Sequence, residues 1–354
     1  MYNEATNLLL KKKNVSEYII GDISKNNNIN FLRLLLAYMV VIFHSMSLSG
    51  NKYPLGKLFD GHIAVCGFFI ISGFLIIRSY WSSKCLKDYL IKRCKRLLPA
   101  YCFVIIICMV GLSLMSNLSA EEYFRSQQLI KYFIANIFFM NFLYPSLPGV
   151  FSGNPVNGSL WTIKLEIGFY IIVPIIAYIL NKCKTKKRIN IFLACLYLSG
   201  YIYNFICLYM AKKMENRFIE ELAHQLPGFI QYFAVGIFCV INYNFVRKYD
   251  KFLIIPGIII LVLYYTIGNE YLLPIGLGII IMYIGFNFNK LNNIGKNEDY
   301  SFGVYIYHFP VIQILITLGY FKLNKYITLI IVMGTVFCMA YISWNMLEMK
   351  FLKR

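Results

Sequence analysis

Long apolar segments separated by short basic loops limit this chain to one kind of fold. Residues of the set AVILMFWYC make up 59% of the 354 positions, charged residues make up 14%, and the mean hydropathy is +0.60. A typical soluble domain has about a quarter charged residues, so a soluble globule of this composition would lack the polar surface to cover its core. The same numbers exclude a disordered chain, a coiled coil and a disulfide-rich secreted module. The composition therefore predicts an all-α protein that crosses a membrane several times.

The apolar segments predict a bundle of about ten transmembrane helices. A span needs about 20 mostly apolar residues. The breaks between the apolar runs put the spans at 30–49, 61–79, 97–116, 160–180, 189–211, 226–242, 252–268, 271–288, 301–319 and 326–347. A further stretch, 129–144, is apolar but short, and it runs into Pro145 and Pro148.

The net charge of +19 orients the predicted bundle. On a soluble chain it would suggest nucleic acid or another anionic partner, but in a membrane protein Lys and Arg collect in cytoplasmic loops. With the N-terminus inside, 25 of the 35 Lys and Arg residues fall on the cytoplasmic side. If 129–144 crossed, the basic cluster 182–188 would move outside and the bias would be lost, so 129–144 is predicted to be re-entrant or interfacial. We expect both termini in the cytoplasm, an N-terminal tail at 1–28, one membrane domain at 29–354, the lipid bilayer as a partner, and no nucleic acid.

The first span contains two ionisable residues, Arg33 and His44. Eleven residues make three helical turns plus about 20°, so both side chains lie on one face, about 16 Å apart along the axis. An ionisable side chain at membrane depth is costly and is a functional candidate by default. The alternative is that Arg33 reaches the lipid head groups and His44 is a hydrogen-bonded core residue.

Glu166 lies in the fourth span at a depth similar to that of His44. A carboxylate at that depth would hydrogen-bond one imidazole nitrogen and leave the other nitrogen as a base. The alternative is a structural pair of Glu166 with Lys164 or Arg33.

Arg93 and Arg96 precede the third span and are three residues apart, on one helical face at the cytoplasmic surface. Planar bidentate donors at a helix start suit phosphate groups. The alternative is the ordinary excess of basic residues on the cytoplasmic side, in contact with lipid phosphates.

His308 in the ninth span either lines a substrate path or satisfies a backbone carbonyl that Pro310 leaves without a partner. Ser72 and Gly73 in the second span are interpreted as small residues that let helices pack closely. The ten cysteines have no C-x-x-C pair, and we expect no metal site and no permanently bound cofactor.

Five ordered stretches resemble one family, the integral-membrane acyltransferase family 3. They are FLRLLLAYMVVIFH with its Arg-x10-His pair, AVCGFFIISGFLI, KRCKRLLPAY with its Arg-x-x-Arg pair, NGSLWTIKLEIGFYIIVP, and SFGVYIYHFPV. The resemblance covers nearly the whole chain. One departure is Cys66, which stands where many members have an Asp before the Phe-Phe pair of the second span.

The resemblance implies an O-acyltransferase, most simply an O-acetyltransferase, of the bacterial cytoplasmic (inner) membrane. Its co-substrate would be cytoplasmic acetyl-CoA or another acyl-CoA. Its acceptor would be a saccharide such as O-antigen, capsule or exopolysaccharide, or else a lipid-linked or small-molecule acceptor. By position, His44 becomes the catalytic residue with Arg33 as its partner, Glu166 becomes an acidic partner, and Arg93 and Arg96 bind the CoA phosphates. A covalent acyl-histidine relay and direct transfer both fit these residues.

A transporter is the competing interpretation, because buried His, Glu and Arg also form proton relays. A carrier would be expected to show inverted repeats and Gly- or Pro-broken helices in corresponding halves of the sequence. Neither feature is visible in this sequence.

Overall fold

The protein is built from α-helices. The computed structural model describes residues 23–24, 26–295 and 298–352, and these ranges contain no β-strand. The predicted all-α membrane fold is confirmed. The α-helices are α1 (Ile29–Ser49), α2 (Gly61–Ser82), α3 (Leu86–Gly111), α4 (Ala120–Arg125), α5 (Gln127–Ile137), α6 (Trp161–Lys182), α7 (Lys186–Met214), α8 (Arg217–Ala223), α9 (Ile230–Ile241), α10 (Tyr243–Ile267), α11 (Leu273–Asn287), α12 (Ser301–Thr317), α13 (Tyr320–Leu323), α14 (Lys325–Ser343) and α15 (Met349–Leu352).

Seven helices among the described residues are long and apolar enough to cross a membrane. They are Ile29–Ser49, Gly56–Ser82, Leu86–Met115, Gly158–Lys182, Lys186–Met214, Tyr243–Ile267 and Lys325–Leu352. Arg217–Ala223 and Leu226–Ile241 form a pair bent by 44°, which makes an eighth if the pair is one span.

The two remaining predicted spans, 271–288 and 301–319, are shorter in the structure than in the sequence prediction. α11 has 15 residues and α12 has 17, or about 22 and 26 Å, against a hydrocarbon core of about 30 Å. Pro274 stands in the first turn of α11, and Gly319, with φ of 79°, follows the end of α12. A helix therefore lies at each of the ten predicted positions, but these two fall short of a full straight span.

The stretch 129–144 does not form a long helix. α5 has 11 residues, or about 16 Å, and is not among the candidate spans. The Tyr101 hydroxyl on α3 donates to the backbone oxygen of Asn136 at 2.6 Å, and Asn136 is buried. α5 alone is therefore too short for a straight span, and the re-entrant or interfacial location of 129–144 stays a prediction.

Backbone contacts group the chain into two compact units. The first consists of Met1–Leu32, Cys66–Leu90 and Leu165–Ile294, and the second consists of Arg33–Val65, Ile91–Lys164 and Gly295–Arg354. Most of the predicted tail 1–28 lies outside the described residues. Its cytoplasmic location and that of the C-terminus stay predictions.

Close helix packing defines the core of the first unit. A Cβ at Gly73 of α2 would lie 2.3 Å from the backbone oxygen of Phe233, and one at Gly236 of α9 would lie 2.0 Å from that of Ile70. Only glycine fits at both positions, so the interpretation of Gly73 as a packing residue is confirmed.

Asn28 anchors the beginning of α1 in the same unit. Its side-chain amide donates to the backbone oxygens of Ile284 at 2.8 Å and Phe288 at 3.0 Å. The bond to Ile284 satisfies a carbonyl in the last turn of α11, and the Phe288 oxygen also accepts from the Leu291 backbone N–H at 3.0 Å.

Candidate functional site

A pair of histidines forms the centre of the candidate site in the second unit. His44 Nδ1 on α1 lies 2.8 Å from His308 Nε2 on α12, and the two rings are 5.0 Å apart at an interplanar angle of 22°. His308 is completely buried, with 0% of its surface exposed. The sequence predicted both residues separately, and the structure brings them together.

The hydrogen bonds of His308 assign the proton on each ring. His308 Nδ1 lies 2.6 Å from the backbone oxygen of Tyr305, which only accepts, so His308 Nδ1 bears a hydrogen. A wholly buried imidazole is least costly when it is neutral, which leaves His308 Nε2 as an acceptor. His44 Nδ1 must then donate to it, and His44 Nε2 carries a lone pair. The arrangement prepares His44 Nε2 as a base or a nucleophile.

Aromatic rings pack around His44. Phe43 and Phe309 meet the imidazole edge to face, at centroid distances of 5.3 and 5.2 Å. A Cβ at Gly158 would lie 2.9 Å from the Phe309 ring, so glycine is needed there for the loop before α6 to approach α12. This packing restricts the rotation of His44 and keeps its Nδ1 directed at His308.

Pro310 leaves the backbone carbonyl four residues earlier on α12 without its helical hydrogen bond, and Asn157 donates a hydrogen bond to that carbonyl. Proline has no N–H to donate to the backbone oxygen of Ile306. The Asn157 amide donates to that oxygen at 2.7 Å. The Ser159 hydroxyl donates in turn to Asn157 Oδ1 at 2.7 Å. The sequence left open whether His308 satisfies the freed carbonyl. The structure assigns that bond to Asn157, and His308 binds the oxygen of Tyr305.

Two acidic side chains lie against Arg33 and Arg96. Both guanidinium groups form ion pairs with Asp299 Oδ2, and Arg96 Nη1 also pairs with Glu348 Oε2 at 3.0 Å. The Glu348 side chain is 1% exposed and that of Asp299 is 11% exposed. The Ser301 backbone N–H and hydroxyl donate to Asp299 Oδ1. Two buried carboxylates are thus matched by two guanidinium groups.

Asp299 is ionised at neutral pH. Burial by itself would raise the pKa of this carboxyl group, but Arg33, Arg96 and the hydrogen bonds from Ser301 outweigh burial and hold the pKa below its ordinary value. A lowered folded-state pKa stabilises the fold at every pH above the unfolded value of about 4. This contribution is lost only as the pH falls further, through the folded-state pKa.

Arg93 and Arg96 lie inside a helix rather than at its start. α3 begins at Leu86, eleven residues before the predicted span at 97–116, so the Arg-x-x-Arg pair occupies its second and third turns. The predicted shared face is retained because the spacing of three is helical. The guanidinium group of Arg96 is directed at Asp299 and Glu348.

Glu166 and Lys164 have partners other than each other. The Tyr170 hydroxyl donates to Glu166 Oε1 at 2.5 Å, one turn along α6 in the first unit. Lys164 Nζ, in the second unit, lies 4.6 Å from the centroid of the Phe142 ring. The proposed contact between Glu166 and His44 stays a prediction.

The sequence prediction missed three residues of the second unit. Asp299 lies in the polar stretch 295–300, which the sequence marks as a loop, although an acidic residue two positions before Ser301 is also a helix-start signal. Asn157 lies in the motif NGSLWT, and no local pattern shows which carbonyl it binds. Glu348 lies one residue beyond the tenth predicted span, and its partner Arg96 is distant in sequence.

Comparisons with known proteins relate the chain to one family. The profile of acyltransferase family 3, described as an acyltransferase domain, matches residues 26–344. The chain is 29% identical over 349 residues to an O-acetyl transferase of Shigella phage Sf6, covering 93% of this chain and 97% of that protein. It is 24% identical over 353 residues to nodulation protein 10 of Rhizobium leguminosarum bv. viciae, covering 92% and 93%. A peptidoglycan O-acetyltransferase of Listeria monocytogenes is 24% identical over 330 residues, covering 81% of this chain and 49% of that protein. No solved structure matches the chain.

Proposed function

We propose a specific reaction for this chain, which belongs to acyltransferase family 3 and is a membrane O-acyltransferase. In this reaction an acetyl group moves from cytoplasmic acetyl-CoA to a hydroxyl of a cell-surface saccharide. The observation that carries the proposal is the contact of His44 Nδ1 with His308 Nε2, because it leaves His44 Nε2 as a base. The bacterial cytoplasmic membrane is the proposed location.

His44 acts as the general base in the proposed reaction. Its Nε2 takes the proton from the saccharide hydroxyl as the oxygen attacks the thioester carbonyl carbon. The C–S bond then breaks, and the CoA thiolate leaves with the proton that His44 returns. The products are the O-acetyl saccharide and CoA. While His44 is positively charged, His308 Nε2 accepts the hydrogen bond from its Nδ1, and Glu166 is the carboxylate proposed to stabilise the imidazolium.

Arg93 and Arg96 are proposed to bind the phosphates of acetyl-CoA. Two guanidinium groups on one helical face provide paired N–H donors for phosphate oxygens. Arg96 has a second role, because it also neutralises the buried carboxylates Asp299 and Glu348. Loss of Arg96 should therefore affect the stability of the fold as well as the binding of the donor.

Alanine substitutions separate the two roles. Arg93→Ala and Arg96→Ala are each expected to weaken binding of labelled acetyl-CoA to the purified protein, by about tenfold for each lost charged contact. Arg96→Ala should also lower the free energy of unfolding by about 1–3 kcal/mol, because the buried Glu348 side chain loses its hydrogen-bonded partner. Thermal unfolding in detergent, compared with exposed Lys92→Ala, measures the second effect. Unchanged affinity for acetyl-CoA in both variants would contradict phosphate binding and would leave the arginines only as part of the basic excess on the cytoplasmic side.

A saccharide acceptor is supported by the relatives. One relative is named for O-acetyl transfer, and another is named for O-acetyl transfer to peptidoglycan, which is a glycan polymer. The proposal extends that class of acceptor to this chain.

Sealed membrane vesicles test the donor, the acceptor and the side of entry together. Inside-out vesicles from bacteria that carry this gene are expected to transfer acetate from labelled acetyl-CoA to saccharide as an alkali-labile ester. Sealed right-side-out vesicles should do so only after permeabilisation, because the donor is bound at the cytoplasmic face. Vesicles with His44→Ala are the control. Absence of labelled saccharide in every wild-type preparation would overturn the proposed function.

A further inference from the structure

We propose that Arg33 and Asp299 are positioning residues whose ion pair sets the register in which His44 meets His308. This inference rests on the proposed function, because it gives the pair its role through His44. It gives a defined role to Arg33, which the resemblance implied only as the partner of the catalytic His44. Asp299 gains a role that its position in a polar loop did not suggest.

The helices α1 and α12 are connected at two levels. At one level Arg33 pairs with Asp299, and at the other His44 contacts His308. Both contacts occur in the same order along the two segments, so α1 and α12 run in the same direction. Arg33 and Asp299 belong to one end of this helix pair, and the histidines lie further along it.

The two levels are separated by similar distances on the two helices. The eleven residues from Arg33 to His44 rise about 16 Å along α1. On the other side, Tyr300 has helical φ and ψ of −73° and −11°, so the nine residues from Asp299 to His308 rise about 13 Å along α12. The difference of about 3 Å is within the reach of the long Arg33 side chain, so formation of the ion pair brings the two imidazole rings to the same level.

The Asp299 carboxylate is held firmly enough to act as a reference point. Oδ1 accepts from the backbone N–H and the hydroxyl of Ser301, which fixes the carboxylate to the first turn of α12. Oδ2 receives both Arg33 and Arg96, and Arg96 is held in turn by Glu348. A negative charge at the start of this 17-residue helix is also favoured by the helix dipole. Arg33 is therefore fixed to α12 itself rather than to a mobile loop.

The histidine contact has little tolerance for error in register. A slip of one residue along α12 moves His308 by about 1.5 Å, which is enough to break a hydrogen bond of 2.8 Å. Without that bond the His44 Nδ1 proton has no acceptor and the ring is free to adopt the wrong tautomer. A misplacement of about 1 Å at a reacting group costs on the order of 100-fold in rate.

Substitutions at both ends of the ion pair test the proposal. Arg33→Gln and Asp299→Asn are each expected to lower kcat for acetyl transfer by about tenfold to 100-fold, and Arg33→Gln should leave the KM for acetyl-CoA unchanged within about twofold. The double variant should be no slower than the slower single variant, because the two residues act as a unit. Glu298→Gln removes the neighbouring charge and is the matched control. Asp299→Glu keeps the charge but moves it by one methylene, and it should lose kcat while unfolding at the wild-type temperature.

Two results would overturn the proposal. One is a raised KM for acetyl-CoA with normal kcat in Arg33→Gln, which would make Arg33 a direct ligand of the donor. The other is a double variant whose loss is the product of the single losses. If wild-type protein transfers no acetate, the proposed function fails instead. In that case the 15N signals of His44 still test the positioning role. A His44 tautomer in Asp299→Asn that differs from the wild-type tautomer supports this role, and an unchanged tautomer refutes it.

Discussion

Replacement of His44 by alanine is expected to reduce acetyl transfer by about 10²–10⁴-fold, which is the usual contribution of a positioned general base. The loss should fall on kcat, because the proposed acetyl-CoA contacts at Arg93 and Arg96 are unaffected. Ester-linked acetate on surface polysaccharide, measured in cells with equal amounts of protein, gives the readout in vivo. Initial rates with labelled acetyl-CoA give it in membranes.

The histidine content of the chain provides a control for that experiment. Only four histidines are present, and His224 is exposed at the end of α8. His224→Ala should therefore keep wild-type activity. Undiminished acetylation by His44→Ala, with normal protein levels, would contradict the assignment of His44 as the base.

Substitution of His308 is expected to have the second largest effect. His308→Phe fills a similar volume but removes the acceptor for His44 Nδ1–H, and kcat should fall by about 100-fold or more, as when a triad loses the group that fixes its histidine tautomer. His308→Gln keeps an oxygen near the position of Nε2 and should recover part of the rate. The KM for acetyl-CoA should be the same in both variants.

The comparison of the two His308 variants separates positioning from simple packing. A core residue that only fills space would be replaced better by phenylalanine than by glutamine, because burying an unsatisfied amide is costly. The proposed role predicts the opposite order of activity. Phenylalanine as active as histidine, or glutamine no better than phenylalanine at equal thermal stability, would remove His308 from the mechanism.

The fold could be predicted from the sequence wherever the length and the apolar character of a segment determined its structure. Apolar runs gave the positions of ten helices because a span must be long and apolar. Pro274 and Gly319 then shortened α11 and α12 in the structure, since the chemistry of helix ends acts at single residues that a hydropathy average does not resolve.

The site was only partly predictable for a different reason. Arg33 and His44 share a helix, so a spacing of eleven residues placed them on one face. The partners of both residues lie more than 260 positions away, at Asp299 and His308. Which helix meets α1, and in which register, depends on packing across the whole unit, and a periodic pattern within one helix carries no information about it.

Glu166 illustrates the limit of the depth argument. Equal depth in two predicted spans made it a candidate partner for His44, but depth alone does not say which helices are neighbours. In the structure His44 Nδ1 is hydrogen-bonded to His308, and the Tyr170 hydroxyl donates a hydrogen bond to Glu166. A role for Glu166 in stabilising the imidazolium is testable by Glu166→Gln, which should lower kcat and leave thermal stability nearly unchanged.

The central claim is that His44 acts through Nε2 because His308 holds its Nδ1 proton. The most direct test is 15N NMR of the purified protein labelled at histidine, with the His44 signals assigned by their absence from His44→Ala. We predict a protonated Nδ1 and an unprotonated Nε2 on His44 at neutral pH, and loss of that pattern in His308→Phe. A protonated Nε2 in the wild-type protein, or the same His44 signals in His308→Phe, would contradict the account.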